Sequence, residues 1–456
     1  MEKNFSALTT DFYELTMAQC YWRYKPNAVA TFELFVRQLP RQRSFLIFSG
    51  LEEVIDFLTN LQFKPEEIAY LRQKGIFEDG FLDYLAKMRF SGDVWAMPEG
   101  TVFFAGEPVL RVSAPIIEAQ LIESFLLSTI NLQTMVASKA ARVVLAAEGR
   151  PVYDFSLRRT HGPTAGFYVA RAAYLGGCQG TSNVLAAKEL GIPVIGTMAH
   201  SFVMAFADEL ESFKVYTQLF PKNSVLLVDT YDAKQGIKNA LKIALLMQKN
   251  GQRLNGIRLD SGDIISLSKY ARTLFNKHGL PELRIVASGN LDEYAIQKLL
   301  KKGACVDSFG VGTHLGTSFD APALDAIYKL VEVSQENGEF LPTMKLSSAK
   351  VTLPGRKQIF RLFDKKGIIK KDVLALESER QKGTVLLRKV IERGHCIYSL
   401  PPLTEICQYA KAQIASLPSE LKEITKTYPT NFVVEPTDKL EKLAKKTARD
   451  LARGIK

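Results

Sequence analysis

Cysteine is scarce in this chain of 456 residues, which has five cysteines and no CxxC pair. Their odd number and wide spacing argue against a disulfide framework and against a zinc site of the usual ligand spacing. Each cysteine is expected to be a small buried apolar residue. The pattern favours a reducing compartment, and we expect a cytoplasmic protein.

Long apolar runs are also absent. The most apolar stretch, residues 125–147, includes Asn131, Gln133, Lys139 and Arg142, and such polar groups are costly inside a lipid bilayer. The stretch is therefore interpreted as one or two buried helices. The first residues lead into no apolar run of the kind that a signal peptide needs. We expect no association with a membrane.

A nucleic-acid-binding motif is missing as well, although the net charge is +11. Residues 345–393 contain 14 Lys and Arg against 5 Asp and Glu, which gives this stretch a net charge of +9. A basic stretch without a motif is typical of a solvated face that steers a polyanionic substrate. We therefore predict no nucleic-acid partner. The alternative, a non-catalytic nucleic-acid-binding protein, would bind any duplex with a steep salt dependence.

The composition that is present, 46% apolar and 23% charged, is that of a globular protein with a substantial core. The chain is long enough for two or three domains, and its texture divides it into four segments. Residues 1–115 form an N-terminal α+β segment, and residues 116–150 are connecting helices. Residues 151–340 alternate strands with helices, and residues 341–456 form a C-terminal segment expected to pack back on the N-terminal one.

The alternation in residues 151–340 predicts a parallel α/β architecture. From residue 194 onward the predicted strands begin about every 23 to 31 residues, the length of one βα unit. Apolar strands that alternate with helices, which are predicted among other places at 202–219, 233–249 and 264–278, indicate a parallel sheet covered by helices. The number of strands favours an α/β barrel, with an open sheet as the alternative. The strands are predicted at 152–155, 194–197, 225–228, 256–259, 283–287 and 306–311, with 327–333 as a possible seventh.

Polar residues follow each of these strands, in the runs 154–159, 197–201, 229–232, 258–263, 288–290 and 310–314. In a parallel barrel all these strand ends lie at one rim, where active sites of this architecture are built. The alternative is that the same residues only cap helices and form turns. Because six consecutive strand ends carry Arg, His, Asp or Gly, we predict a site.

The chemistry of these residues indicates an anionic substrate. Arg158 and Arg258 can make forked contacts with carboxylate or phosphate oxygens. Asp229 and Asp260 suit ribose hydroxyls or magnesium, which prefers oxygen ligands. The turns at 288–290 and 310–313 can offer backbone N–H groups to a phosphate. The residues thus predict an enzyme acting on a phosphorylated or carboxylated small molecule with magnesium. An unrelated barrel lyase or aldolase usually needs a catalytic lysine or a metal cluster at the rim, and no lysine stands at these strand ends.

At these residues the sequence resembles the nicotinate phosphoribosyltransferases. The likeness extends from about residue 6 to about residue 350, and several motifs in one order make it specific. The matching stretches are LTTDFYELTMA (8–18), FELFVR (32–37), SGL (49–51), GTMAHS (196–201), VDTYD (228–232), RLDSGD (258–263) and FGVGT (309–313).

The resemblance implies an irregular parallel α/β barrel with a second α+β domain built from the N- and C-terminal segments. It also implies a homodimer whose active sites lie at the subunit boundary. The implied reaction makes nicotinate mononucleotide and pyrophosphate from nicotinate and phosphoribosyl pyrophosphate (PRPP) during NAD synthesis. ATP is the implied co-substrate and magnesium the implied metal ion.

The resemblance also implies individual roles. His200 matches the histidine that ATP phosphorylates; a structural loop histidine is the alternative. Phe155 and Tyr13 match the aromatic pair around the pyridine ring, with Tyr13 reaching the site of the partner subunit; core packing and dimer packing are the alternatives. Arg258, with Thr197 nearby, matches the residue that meets the nicotinate carboxylate. The residues expected around PRPP are Arg158, Asp229, Asp260, Ser288, Gly289, Asn290, Gly312 and Thr313, among which Arg158 and Asp260 are expected to act in catalysis together with His200.

Nicotinamide phosphoribosyltransferase is the nearest alternative within this fold. That family carries an aspartate in the loop that reads Gly-Thr-Ser-Asn at residues 180–183 here. Without that carboxylate, the chain is expected to prefer the negatively charged acid. The quinolinate phosphoribosyltransferases fit less well, because they are shorter and lack the stretch that contains His200.

Overall fold

The computed structural model describes residues 5–346, 352–424 and 432–454. The chain forms two compact units. Met1–Met135 and Ala323–Lys456 make up the first, called the terminal unit below, and Val136–Pro322 make up the second, called the central unit. Within the described ranges, no helix has both the length and the apolar character needed to span a bilayer. All five cysteines are free thiols. The expectation that each of them is buried was wrong for Cys20 and Cys396, which are exposed.

The strands of the described ranges are, in chain order, β1 (Val29–Val36), β2 (Leu46–Ile47), β3 (Asp93–Ala96), β4 (Val102–Phe103), β5 (Pro108–Pro115), β6 (Val152–Asp154), β7 (Val225–Leu227), β8 (Gly256–Leu259), β9 (Arg284–Ala287), β10 (Ser308–Val311), β11 (Ala326–Ser334), β12 (Phe340–Pro342), β13 (Lys357–Phe363), β14 (Ile369–Leu376), β15 (Thr384–Val385), β16 (Arg388–Glu392), β17 (His395–Cys396) and β18 (Val434–Pro436).

The α-helices of the same ranges are α1 (Phe12–Tyr24), α2 (Leu51–Thr59), α3 (Pro65–Gln73), α4 (Asp79–Lys87), α5 (Ile116–Leu121), α6 (Glu123–Ala146), α7 (Pro163–Leu175), α8 (Val184–Leu190), α9 (His200–Met204), α10 (Glu209–Leu219), α11 (Ala233–Lys249), α12 (Ile264–Lys277), α13 (Glu293–Lys301), α14 (Thr313–Gly316), α15 (Leu403–Ala415) and α16 (Asp438–Gly454). Two 3₁₀ turns, Leu157–Arg159 and Ser419–Lys422, accompany them.

The terminal unit is organised around a seven-stranded sheet in the order β12-β11-β1-β5-β3-β16-β17. The strand β1 lies antiparallel to both β11 and β5. Most of its residues are buried, because both faces of the sheet are covered. On this sheet Phe32 stacks on Tyr328 with the ring centroids 4.7 Å apart. A four-stranded sheet, β15-β13-β14-β18, and the pair β2-β4 are its other described sheets.

The central unit contains a five-stranded sheet in the order β6-β10-β9-β8-β7, in which every neighbouring pair is parallel. The strands are short and apolar, and β10 is buried at each of its positions. The helices predicted at 233–249 and 264–278 are confirmed as α11 and α12. The mixed α/β fold with a parallel sheet therefore matches the prediction, whereas the barrel is not confirmed.

Two of the predicted barrel strands differ in the structure. The run 194–197 forms no strand and contributes only a bridge from Val194 to Thr181, because Pro193 has no N–H to donate and Gly196 favours an irregular backbone. The run 327–333 is part of β11, which pairs with β1 in the antiparallel sheet of the terminal unit. The sequence therefore predicted this strand correctly but did not predict the sheet to which it belongs.

The single helix predicted at 202–219 was wrong, since the structure divides it into α9 and α10. Asp208 interrupts the run, because its side chain accepts a hydrogen bond of 2.8 Å from the backbone N–H of Glu211 and so begins a new helix. The division into segments at residues 115, 150 and 340 remains a prediction.

Candidate active site

A cavity of about 640 Å³ opens at the carboxyl ends of the parallel strands in the central unit. In parallel sheets the crevice outside these ends is where ligands bind. The lining comes from the residues after β6, β8, β9 and β10 and from the segment before α9. The predicted site residues that line it are Phe155, Arg158, Thr197, Arg258, Asp260, Ser288, Gly289, Asn290, Gly312 and Thr313.

The end of β6 is fixed by a buried carboxylate. Asp154 is 1% exposed, and its Oδ1 accepts hydrogen bonds from the backbone N–H and the hydroxyl of Ser156, at 2.9 and 2.5 Å. Its Oδ2 accepts one of 2.7 Å from the hydroxyl of Thr181. Burial raises the pKa of Asp154, against the effect of these hydrogen bonds. The carboxylate therefore shapes the turn that places Phe155 and Arg158 at the cavity.

Substitution of Asp154 by asparagine is expected to change how stability depends on pH. Because the folded protein holds the proton of Asp154 more tightly than the unfolded chain does, its contribution is largest below the usual pKa of 3.8 and is lost as pH rises through the raised value. An asparagine does not titrate. The free energy of unfolding of the wild type, measured against Asp154→Asn by urea denaturation, should fall between pH 3.8 and neutrality. A constant difference across this interval would contradict the assignment.

The ring of Phe155 lies against β10. The backbone N–H of Phe155 donates to the carbonyl of Val311 at 2.9 Å. A Cβ atom at Gly310 would stand 2.3 Å from the Phe155 ring, so only glycine leaves room for the ring there. Phe155 is half-buried and lines the cavity, which gives it one face for core packing and one for a ligand.

Arg258, on β8, offers a cation at the base of the cavity. Its side chain is 14% exposed, and its Nη1 donates to the hydroxyl of Thr197 at 2.5 Å. Its Nε is buried, has no hydrogen-bond partner, and lies 3.9 Å from Oδ1 of Asp260. Burial lowers the pKa of Arg258. A buried guanidinium with an unused donor is suited to bind a ligand carboxylate.

Asp229 and Asp260 form a connected pair at adjacent strand ends. The Oδ2 atom of Asp229 accepts from the backbone N–H of Asp260 at 2.9 Å and from the hydroxyl of Ser261 at 2.6 Å. Asp260 in turn accepts from the hydroxyl of Ser288 at 2.5 Å. Asp260 lines the cavity, whereas Asp229 is absent from its lining and supports the turn at 260–261.

Helix capping accounts for other aspartates in the same motifs. Asp232 and Asp263 accept hydrogen bonds from backbone N–H groups at the starts of α11 and α12. The capping alternative thus applies to the second aspartate of each motif. Asp229 and Asp260 cap neither of these helices. Each motif therefore contains one aspartate that caps a helix and one that is a candidate site residue.

Magnesium fits this arrangement only if a ligand completes its coordination. No group of three or more His, Cys, Asp or Glu side chains in the described ranges could enclose a metal ion. The Oδ1 atom of Asp229 is nevertheless buried without a hydrogen-bond partner. Magnesium is usually bound by one or two carboxylates together with substrate phosphates, and Asp229 and Asp260 match that donor set.

His200 is the first residue of α9 and lies beside the cavity rather than in its lining. Its Nδ1 is 3.1 Å from the hydroxyl of Thr230, and its Nε2 is 3.8 Å from Oδ2 of Asp260. Its side chain is 39% exposed. The ring is therefore held in place next to a site carboxylate while it remains open to an incoming reactant.

The turn after β9 requires an unusual backbone. Gly289 has φ +86° and Asn290 has φ +49°, a region that side chains other than glycine and asparagine rarely adopt. A Cβ atom at Gly289 would stand 1.9 Å from the carbonyl oxygen of Asp260. The turn thus packs directly on the strand end that holds Asp260.

Tyr13 lies on α1 in the terminal unit and is 47% exposed. Burial of its hydroxyl and the nearby Glu123 raise its pKa. Its expected role concerns a partner subunit and remains a prediction.

Several lining residues were missed by the sequence-based prediction. They share the runs that carry the predicted ones, and their proximity to Arg158, Thr197 or Gly312 was the available signal. Ser182 is the exception, because it lies in the 180–183 loop, for which the sequence predicted only the lack of an aspartate. The missed residues are Leu157, Arg159, Ser182, Gly196, Met198, Ala199 and Gly310.

A parallel sheet whose strand ends bring arginines, a carboxylate and glycine turns around one cavity defines an α/β enzyme that acts on an anionic small molecule. Two family models match the chain: the nicotinate phosphoribosyltransferase N-terminal domain at residues 8–131 and the nicotinate phosphoribosyltransferase family at residues 151–352. The chain belongs to the nicotinate phosphoribosyltransferase family.

Curated relatives and solved structures agree with this membership. A nicotinate phosphoribosyltransferase of Mycobacterium tuberculosis is 46% identical over 430 residues, covering 94% of this chain and 91% of the relative. That of Bacillus subtilis is 39% identical over 460 residues, covering 93% and 92%. The crystal structure of human nicotinic acid phosphoribosyltransferase superposes with a TM-score of 0.85 at 29% identity, covering 96% of this chain and 99% of that one.

Proposed function

We propose that this chain is an ATP-coupled nicotinate phosphoribosyltransferase that makes nicotinate mononucleotide and pyrophosphate from nicotinate and PRPP for NAD synthesis. Relatives at 46% and 39% identity, matched over more than nine-tenths of the chain, bear this activity in their names. The observation that carries the proposal is that Arg258, with its unused donor, shares one cavity with the turns at Ser288 and Gly312. A carboxylate-binding site and a phosphate-binding site, called the nicotinate seat and the PRPP seat below, thus open into the same cavity.

The nicotinate seat consists of Arg258, Thr197 and Phe155. The guanidinium of Arg258 binds the carboxylate, and its hydrogen bond to Thr197 holds it in that orientation. The ring of Phe155 stacks on the pyridine, and Tyr13 of the partner subunit covers the other face. Aromatic stacking adds about 0.5–1.5 kcal/mol beyond area burial, so its main effect is to orient the ring nitrogen toward the ribose.

The PRPP seat consists of Arg158, Asp260 and the turns at 288–290 and 312–313. Backbone N–H groups at residues 289–290 and 312–313 bind phosphate oxygens, and Asp260 lies beside the ribose. In the reaction the ribose C1–oxygen bond to pyrophosphate breaks, and a bond from C1 to the pyridine nitrogen forms. Arg158 stabilises the charge on the departing pyrophosphate, while Asp260 faces the positive charge that develops on the ribose carbon. Magnesium held by Asp229, Asp260 and the substrate would neutralise part of the pyrophosphate charge.

Phosphorylation of His200 is the proposed link to ATP. A neutral imidazole nitrogen is a competent nucleophile toward the γ-phosphoryl group of ATP: the nitrogen–phosphorus bond forms as the bond to the β–γ bridging oxygen breaks, and ADP departs. The added negative charge would stand next to Asp260, whose Oδ2 is 3.8 Å from Nε2. Because like charges at this distance repel, the phosphorylated state favours a different arrangement of the PRPP seat, and its hydrolysis can drive an unfavourable equilibrium.

The test is one assay with nicotinate, PRPP and magnesium, run with and without ATP. ATP should strongly stimulate the wild type and should give almost no stimulation of His200→Ala. His278→Ala is the matched control, since His278 is a histidine of the same unit that bonds only its own helix in the described contacts and does not line the cavity. Full ATP stimulation of His200→Ala would exclude the phosphohistidine.

The same assay separates the acid from the amide. Ser182 lines the cavity where the nicotinamide enzymes carry an aspartate nearby, and a hydroxyl adds no negative charge. Nicotinate should therefore be used in preference to nicotinamide. Equal or better use of nicotinamide would defeat the assignment.

We further propose a cytoplasmic homodimer, which the free cysteines and the position of Tyr13 on an exposed face of α1 support.

A further inference from the structure

Lys139, on α6, is a buried cation that the proposed reaction does not use. Its side chain is 1% exposed, and it belongs to the central unit together with the cavity. Its Nζ donates to Oε2 of Glu293 at 2.5 Å and to Oδ1 of Asp320 at 2.7 Å. One ammonium group therefore holds two carboxylates at once.

Each of these carboxylates stands at the far end of a loop that lines the cavity. Glu293 is the first residue of α13, directly after the turn with Ser288, Gly289 and Asn290. Asp320 follows the short α14, which begins at Thr313 next to Gly312. The near ends of the two loops are the adjacent parallel strands β9 and β10. Lys139 thus connects the end of the loop that follows β9 to the end of the loop that follows β10, through its bonds to Glu293 and Asp320.

Glu293 is held more firmly still. Its side chain is fully buried, and its second oxygen accepts a hydrogen bond of 3.0 Å from Nε of Arg142, one helical turn along α6. Arg142 also donates to the hydroxyl of Tyr294 at 3.1 Å. The helix α6 therefore fixes the start of α13 through two cations, and one of them, Lys139, also reaches the loop that follows α14.

Both loops contain backbone that needs such support. Asn290 and Ser318 have φ +49° and +42°, left-handed conformations that side chains other than glycine adopt only when their surroundings hold them. Burying a lysine for packing alone is unfavourable compared with an apolar residue of the same size. The buried charge of Lys139 is explained if its bonds to Glu293 and Asp320 fix the positions of the two loops more closely than apolar packing would.

We propose that Lys139 is a positioning residue for PRPP: its ammonium sets the spacing between the turn at 288–290 and the turn at 312–313. This inference rests on the proposed function, because it assigns those turns to the phosphates of PRPP. It makes no claim on the nicotinate seat of Arg258, Thr197 and Phe155, because Glu293 and Asp320 follow the two turns that are assigned to PRPP.

The test compares Lys139→Met with Lys357→Met. Lys357, on β13 in the terminal unit, is a lysine of similar burial, 4% exposed, with its Nζ 2.9 Å from the buried Glu33. Both substitutions remove a buried ion pair and should lower the melting temperature. Only Lys139→Met should raise the KM for PRPP, by roughly ten-fold, a size typical of a sub-ångström misplacement. The KM for nicotinate should change less than two-fold in both variants.

Asp320→Asn provides a milder variant that keeps the Lys139–Glu293 bond and disturbs only the loop after β10. We expect a smaller rise in the KM for PRPP, and a rise smaller than the sum of the two when it is combined with Lys139→Met, because both variants remove the Lys139–Asp320 bond. Should Lys139→Met not fold, Asp320→Asn decides the matter. An unchanged KM for PRPP in Asp320→Asn, or equal rises for both substrates in Lys139→Met, would overturn the inference.

Calorimetric titration with inorganic pyrophosphate separates this inference from the proposed function. A wild type that neither turns over nicotinate nor binds pyrophosphate overturns both. A wild type that binds pyrophosphate without turning over nicotinate overturns only the proposed function, and the ratio of pyrophosphate Kd values between Lys139→Met and Lys357→Met then tests the positioning role. An active wild type, together with equal pyrophosphate Kd values for Lys139→Met and Lys357→Met, overturns the positioning role alone.

Discussion

Substitution of Arg258 by methionine is expected to lower kcat/KM for nicotinate by roughly a hundred- to a thousand-fold. Methionine keeps much of the apolar stem and removes the charged donors. Hydrogen bonds to a charged group contribute about 1.5–3 kcal/mol each, and a ligand carboxylate that loses a forked pair also stays desolvated. Arg258→Lys should recover only part of the loss, because an ammonium cannot present the planar fork.

The loss in Arg258→Met should be specific to the acid. With nicotinamide as substrate the rate should fall far less, so the preference of the enzyme for nicotinate should nearly disappear. Arg272→Met is the matched control: Arg272 also lies in the central unit and also pairs with a carboxylate, Asp307 at 2.7 Å, but it does not line the cavity. Retained preference for nicotinate in Arg258→Met would refute the nicotinate seat.

Substitution of Gly289 by alanine is expected to abolish most of the activity and to destabilise the protein by about 2–5 kcal/mol. The conformation at φ +86° costs a side chain about 1–2 kcal/mol, and the added Cβ would meet the Asp260 carbonyl oxygen at 1.9 Å. Because that contact is with backbone, the turn itself has to move, and overpacking of this kind costs about 1–3 kcal/mol. Ser288 and Asn290 move with it.

The matched control for this glycine is Gly279→Ala. Gly279 has φ +73°, but a Cβ atom added there would have no atom within 4 Å. An alanine at this position therefore has the same conformational cost as one at Gly289, without the collision. Urea denaturation should show a loss of about 1–2 kcal/mol for Gly279→Ala with full activity. The kcat/KM of Gly289→Ala should fall by at least ~100-fold, since an ångström of misplacement can have that effect. Equal activity in the two variants would show that the turn at 288–290 has no part in the reaction.

The parallel half of the fold could be anticipated because its signals are local. The apolar runs of β8 and β10 and the amphipathic run of α11 are short-range patterns, and the structure places these elements where the patterns predict them. The run 194–197 looked equally apolar, yet Pro193 and Gly196 leave it with one bridge. The apolar character of this run therefore predicted neither a strand of the sheet nor burial, since Val194 is 57% exposed.

The candidate site could be anticipated in part. The strand-end motifs named ten residues that line one cavity, because parallel strands bring their carboxyl ends to one edge whatever their order. The motifs could not separate Asp260, which lines the cavity, from Asp263, which caps α12. That difference depends on which way each side chain points after the strand ends.

The sequence alone determined the family, the alternation of strands and helices in the central unit, and the residue types that gather at its strand ends, because each of these follows from neighbours along the chain. The tertiary structure decided the strand order, the place of β11 beside β1, the support of Asp260 by Asp229, and the link from Lys139 to Glu293 and Asp320. These contacts join residues tens to hundreds of positions apart. Their energy comes from burial and pairing that exist only once the chain has folded.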